Sequence, residues 1–162
     1  MKSSELHTKY MRMALREAAK ARKIDEVPVG AVAVLDGKVI GRGHNRPVSK
    51  SDPSSHAEIN ALRRAGRKTG NYRLTGASIY TTLEPCPMCA GALVNARVKE
   101  VFFGCRDSRA GACGSVMNIA SSRKLNHRVR VTGGIMEDSC RRVIQDFFRK
   151  KRKGNGGRKT AE

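Results

Sequence analysis

Acidic residues are scarce in this chain: 14 Asp and Glu stand against 33 Lys and Arg, a formal net charge of +19 at pH 7. Solubility asks for a net charge of only about 2–8 in magnitude. So large an excess of one sign repels itself in the folded state, and its commonest use is to meet a polyanion. Nucleic acid is the partner this balance points to. Long apolar runs are absent too, and none approaches the roughly 18 residues of a membrane span. Residues 1–22 are charged and interrupted, without the apolar centre of a secretion signal. The expectation is a cytoplasmic protein with no membrane partner. Cysteines number five, an odd count with no regular spacing beyond one C-x-x-C, which argues against a secreted disulfide framework. There are no internal repeats and no domain linker.

At 162 residues the length suits one domain. Such a chain buries roughly two-thirds of its unfolded surface and needs neither metal nor disulfide merely to fold. The expected domain spans 1–153. Residues 154–162, rich in Gly and Lys, read as a disordered basic tail.

Helical spacing of Leu6, Tyr10, Met13, Ala14, Leu15 and Ala18 predicts an amphipathic helix over 5–23. Residues 27–34 form a β-branched and Ala run, and Asp36-Gly37 then leads into 38–43, the pattern of a hairpin with a tight turn. Residues 29–35 are almost wholly apolar, so this strand should be covered on both faces, as in a layered α/β domain. Residues 43–47 end the hairpin and 49–55 read as a polar loop. Ser54 or Ser55 is the expected cap of a helix over 56–65, with Gly66 its stop. Strands follow at 77–83, 100–104 and 127–131. Helices are expected at 89–98 and 137–150, with a short one at 117–125, and 106–115 reads as a loop.

Two short stretches carry chemistry. His56-Ala57-Glu58 and Pro85-Cys86-Pro87-Met88-Cys89 together supply one histidine and two cysteines. These are three of the four ligands tetrahedral zinc takes, and three protein ligands leave a position open for water. Cys86 and Cys89, at i and i+3 after a strand, aim their sulfurs the same way. They also sit at a helix start, whose dipole favours the thiolate that binds metal. Pro87 suits the first helical turn. His56 and Glu58, two residues apart, share a site only if it lies off the N-terminal end of their helix. A lone C-x-x-C is ambiguous between redox pair, structural zinc and catalytic zinc. Redox leaves His56 and Glu58 without a role, and a closed structural site, completed by Cys105, Cys113 or Cys140, leaves Glu58 idle. Catalytic zinc uses all four residues, with Glu58 moving protons. H-x-E followed by P-C-x-x-C is the signature of zinc-dependent nucleobase deaminases. Asn45 reads either as a turn former or as an amide able to hydrogen-bond a purine edge.

Around these motifs the chain resembles the bacterial tRNA-specific adenosine deaminases, of the cytidine/deoxycytidylate deaminase superfamily. The likeness runs through Pro28-Val29-Gly30-Ala31, Gly43-His44-Asn45-Arg46-Pro47, Asn71-Tyr72-Arg73-Leu74, Thr82 to Ala92, Phe103-Gly104-Cys105-Arg106-Asp107 and Asp146-Phe147-Phe148-Arg149. The resemblance implies a cytidine-deaminase-like fold, a three-layer α/β/α sandwich with a five-stranded mixed sheet, and a homodimer. It implies one zinc per subunit on His56, Cys86 and Cys89, with Glu58 catalytic, and conversion of adenosine to inosine at the wobble position of a tRNA anticodon, commonly that of arginine tRNA. By the same likeness Asn45 would contact the flipped adenine, Val29 would line its pocket, and Asp107 would meet the neighbouring ribose. Phe148 and Arg149 would face the RNA from the last helix. Cys105 and Cys113 depart from the family, which often has alanine there. The rival readings are a deaminase of a free base or nucleotide (guanine, cytosine or dCMP), which has no use for the charge, and a non-catalytic zinc module that binds RNA, which has no use for Glu58.

Overall fold

The computed structural model describes residues 1–156. Five strands form one mixed sheet in the order β2-β1-β3-β4-β5. β1 (Gly30–Leu35) pairs antiparallel with β2 (Lys38–His44) and with β3 (Ser78–Leu83); β4 (Glu100–Cys105) and β5 (Arg130–Thr132) then add in parallel. Asp36 and Gly37, with φ of 51° and 73°, make the tight hairpin turn, both central residues left-handed as its twist requires.

Alternation along the strands sorts the core into two layers. Ile79, Val101 and Phe103 pack with Ala65 of α3 (Ala57–Thr69) and with Ala90, Leu93 and Val94 of α4 (Pro87–Asn95). Val32, Val34, Tyr80 and Phe102 pack with Tyr10, Met11 and Ala14 of α1 (Ser3–Lys23) and with Cys140 of α5 (Glu137–Gly156). The result is a three-layer α/β/α sandwich with a five-stranded mixed sheet. Its sheet is apolar on both faces, as the unbroken apolar run in β1 implies. α3 lies tight on β2 because Gly41 and Gly43 face it: a Cβ on Gly43 would run into the carbonyl of Ala57 and the amide of Ala61. That close approach sets the start of α3, and His56 with it.

Several expectations are corrected. α3 is capped by His56, not by Ser54 or Ser55, and it passes through Gly66 to end at Gly70, whose φ of 68° supplies the left-handed stop. Residues 47–50, read as the end of the hairpin and the start of a loop, contain a short helix, α2 (Pro47–Lys50). Buried Glu26 holds it by accepting from the Val48 and Ser49 amides at 3.2 and 3.0 Å. The helix expected at 117–125 does not form. There Asn118 Oδ1 accepts from the Ser121 amide and hydroxyl at 3.2 and 2.9 Å, a local bond that competes with the helical one, while Asn118 also bridges to Cys113. The last strand is shorter and later than 127–131, because the His127 ring turns in to bond the Val98 carbonyl at 2.8 Å. α5 continues past 150 to Gly156, taking in the first three residues of the expected tail. Residues 157–162 of that tail lie outside the described residues.

Candidate active site

Two helix N-termini converge at the C-terminal edge of the sheet. His56 is the N-cap residue of α3, and Cys86 is that of α4, with Pro87 opening the helix. Both cap residues have extended backbone, so each side chain sits in front of its helix rather than on its flank. His56 Nδ1 lies 3.5 Å from Cys86 Sγ and 3.5 Å from Cys89 Sγ. The three ligand atoms all fall within 4.8 Å of one another, the one such group of three among the described residues.

The cluster fits zinc. Bonds of roughly 2.3 Å to sulfur and 2.0–2.1 Å to nitrogen, at tetrahedral angles, put N and S about 3.5 Å apart. Cys105, Cys113 and Cys140 stay out of it. All three are buried in the two core layers, and burial pushes their thiols up to about 11, 12 and 12, the protonated and unreactive form. The Cys86 thiol behaves oppositely: contact with Cys89 first, then the His56 ring, draws it down to about 4 against the effect of burial. The same contact with Cys86, together with burial, raises Cys89, and the bond to Cys86 raises His56. A divalent ion bound by the three groups would take the cysteines as thiolates and the histidine as neutral imidazole, displacing their protons.

Glu58, in the first turn of α3, points into the same corner and is 3% exposed. Burial raises its carboxyl above the usual range, while bonds from Cys89 and from the Thr81 hydroxyl, 2.8 Å from Oε1, act against that rise. A carboxyl so placed holds a proton more readily than a solvated one, the bias that suits a group passing protons to a substrate.

Asn45 and Val29 close the corner. Asn45 Oδ1 accepts from the Ala57 amide at 2.8 Å, and the Asn45 amide donates to the Val29 carbonyl at 3.1 Å. Asn45 thus fixes the entry to α3 through its oxygen, and that bond leaves its NH2 unused. Val29 is buried against Ala31, Ala57 and Ala61.

Asp107, Phe148 and Arg149 lie apart from this corner, in a neighbouring groove of about 830 Å³ that Val27, Leu83 and Arg106 also line. Leu83 packs against the Val29 cluster as well, so the groove runs up to the corner. Asp107 Oδ1 accepts from the Arg109 and Ala110 amides at 2.9 and 3.1 Å, which shapes its own loop. Phe148 is 43% exposed, and Arg149 pairs with Asp146 at 3.1 Å.

Two residues were missed by the sequence reading. Thr81, whose hydroxyl meets Glu58, gave a signal only as a polar position in an otherwise covered strand. Glu84 precedes Pro85-Cys86 directly and had no role assigned. Its side chain is fully buried; it accepts from Ser115 Oγ at 2.8 Å and from the Asp107 amide at 3.3 Å, with Arg106 Nη1 3.6 Å away. Gly111 makes room for it, since a Cβ there would meet the carboxylate. Glu84 thus ties the Asp107 loop to the turn that carries the cysteines.

A buried glutamate beside a His-Cys-Cys group with an open side has what hydrolytic deamination of a nucleobase requires. The chain matches the MafB19-like deaminase family over residues 5–152. It is 45% identical over 150 residues to the tRNA-specific adenosine deaminase of Haemophilus influenzae, covering 92% of this chain and 87% of that one. It is 43% identical over 144 residues to the tRNA-specific adenosine deaminase of Bacillus subtilis, covering 89% of each. Among solved structures, one from work on A-to-I editing by tRNA:A34 deaminases at the wobble position of transfer RNA superposes with a TM-score of 0.81 at 42% identity, covering 84% of this chain and 99% of that one. The chain belongs to this deaminase family, among the tRNA-specific adenosine deaminases. Its fold is the cytidine-deaminase-like sandwich.

Proposed function

We propose that the chain converts adenosine to inosine at position 34, the wobble position of a tRNA anticodon, with water as second substrate and ammonia as product. The observation that carries this reading is the corner itself: His56 Nδ1 at 3.5 Å from both cysteine sulfurs, with buried Glu58 beside them. His56, Cys86 and Cys89 would hold one zinc per subunit. When bound, zinc supplies Lewis-acid activation of the attacking water. Glu58 takes one proton of that water and delivers it to adenine N1 as C6 is attacked; it then takes the proton of the new C6 hydroxyl and passes it to the amine, so that the C6–N bond breaks, ammonia leaves and C6=O forms. Thr81 holds Glu58 in line. Asn45 offers its NH2 to the purine edge, and Val29 forms an apolar wall for the base. A base splayed out of an anticodon loop enters such a pocket at the least cost in stacking.

The groove of Asp107, Phe148 and Arg149 would take the flanking nucleotides, Phe148 by stacking and Arg149 by charge. The substrate assigned is the anticodon arm of arginine tRNA, in a cytoplasmic homodimer. Among the described residues no helix is long and apolar enough to cross a membrane. The deciding experiment follows inosine by mass change on an anticodon stem-loop with a wobble adenosine, alongside free adenosine, cytidine and guanine. Inosine from the stem-loop alone is the expected result. Turnover of a free base instead would assign a metabolic deaminase and leave the charge of +19 without a use.

A further inference from the structure

On the far side of the strand–helix junction from the groove, a cavity of about 310 Å³ gathers Arg46, Lys50, Arg63, Arg64 and Arg67 around a single carboxylate, Asp52. Asp52 is already occupied: it accepts from the Ser54 amide and hydroxyl at 2.9 and 2.7 Å and lies 3.7 Å from Arg63. Among the described residues Arg46, Lys50, Arg64 and Arg67 have no carboxylate partner. Arg63 and Arg67 sit one helical turn apart on α3, with Arg64 beside them, so the basic stripe is built into that helix. Cations gathered around one cavity repel each other, and among its lining residues Asp52 is the one acid set against five of them. Arg46 reaches this cavity from the end of β2, and part of its side chain is buried. Its Nε is the one buried side-chain polar atom among the described residues without a hydrogen-bond partner. Such an unmet buried donor is costly.

We propose that this cavity is a phosphate pocket that grips the RNA backbone beside the reacting nucleotide; the proposal rests on the tRNA-deaminase reading given above. Guanidinium forks match phosphate oxygens two at a time, and an anion there answers the charge excess of the exposed Arg63, Arg64 and Arg67. The position suits one RNA strand spanning both sites. His44 and Ser55 line the cavity, while their chain neighbours Asn45 and His56 belong to the active-site corner. The corner handles the base and the cavity a phosphodiester, with the junction of β2 and α3 between them.

The test compares the wild-type protein with Arg64→Gln/Arg67→Gln, both side chains being exposed. A control, Arg123→Gln/Arg128→Gln, removes the same charge from a loop beside the start of β4, at the end of the strands away from the cysteines. Stem-loop binding is read by fluorescence anisotropy across a salt series, and inosine formation separately. The pocket variant is expected to weaken binding about tenfold or more, with kcat within about twofold. The slope of log K against log salt should fall by about 1–2, since each single-strand phosphate contact contributes roughly 0.7. The control should move neither quantity. Equal losses in both variants would mean a diffuse field, and an unmoved Kd and slope in the pocket variant would mean no contact; either overturns the pocket. Inorganic phosphate serves as a further probe. If the pocket variant loses inhibition by phosphate while its stem-loop Kd stays at the wild-type value, the cavity holds a small anion and the RNA assignment fails. Binding without inosine would overturn the deaminase reading, whereas inosine with an unmoved Kd would overturn the pocket alone.

Discussion

The corner and the groove beside it are built on opposite terms. In the corner every working group is buried or sits at a helix start, and each is held by a second residue: Glu58 by Thr81, Asn45 by the Ala57 amide, the sulfurs by His56. In the groove Phe148 and Arg149 stand in solvent on one face of α5. Proton transfer and metal binding depend steeply on distance, so they need groups that cannot move. Contact with RNA backbone and bases depends on summed charge and stacking, which exposed side chains supply and which tolerates small displacements. Glu84 joins the two regions, with one bond to the loop of Asp107 and a peptide link to the cysteine turn.

Variants can break or sharpen this contrast. The largest effect is expected from Cys86→Ala: zinc falls from about one per chain to none by metal analysis, and inosine formation drops below detection. Glu58→Ala should keep zinc and lose roughly 10²–10⁴ in rate, the usual reach of a general acid–base group. A variant still making inosine at the normal rate would remove Glu58 from the mechanism. Glu84→Ala removes the buried carboxylate that accepts from the Ser115 hydroxyl and the Asp107 amide. A cost of about 2 kcal/mol is expected, read as a melting temperature lower by roughly 4–8 °C, with KM for the stem-loop raised and zinc retained. Loss of zinc instead would place Glu84 with the corner rather than between the regions. Smallest are the groove variants. Phe148→Ala should raise KM about tenfold at constant kcat, in line with one lost base stack. Arg149→Ala should lower the salt slope by about 1. A fall in kcat from either would mean that the groove shapes the chemistry as well.

Legibility in the sequence followed the range of the interaction. The cysteine spacing, the proline at the helix start and the Asp36-Gly37 turn are local, and the structure has them as read. Their spacing also implied that His56 and Glu58 can share a site only off a helix N-terminus, and both lie at that of α3. Thr81 and Glu84 could not be read, because their partners lie 23 to 31 positions away along the chain. The segment 117–125 misled although the contacts that decide it are local. Its apolar residues permit a helix, but Asn118 bonds Ser121 and bridges back to Cys113 instead.

Residue chemistry, and local geometry at the hairpin turn and the cysteine helix, were therefore settled by the sequence alone. It holds the ligand types, the base two residues from a ligand, the cationic excess and the apolar strand that demands two covering layers. Tertiary structure decided how these meet. Glycines at 41 and 43 let α3 down onto β2, the parallel pairing of β3 with β4 lays the Asp107 loop beside the cysteine turn, and α5 brings Phe148 to the same groove. These are contacts between segments far apart in the chain, fixed by packing and by buried hydrogen bonds that no local pattern of residues encodes.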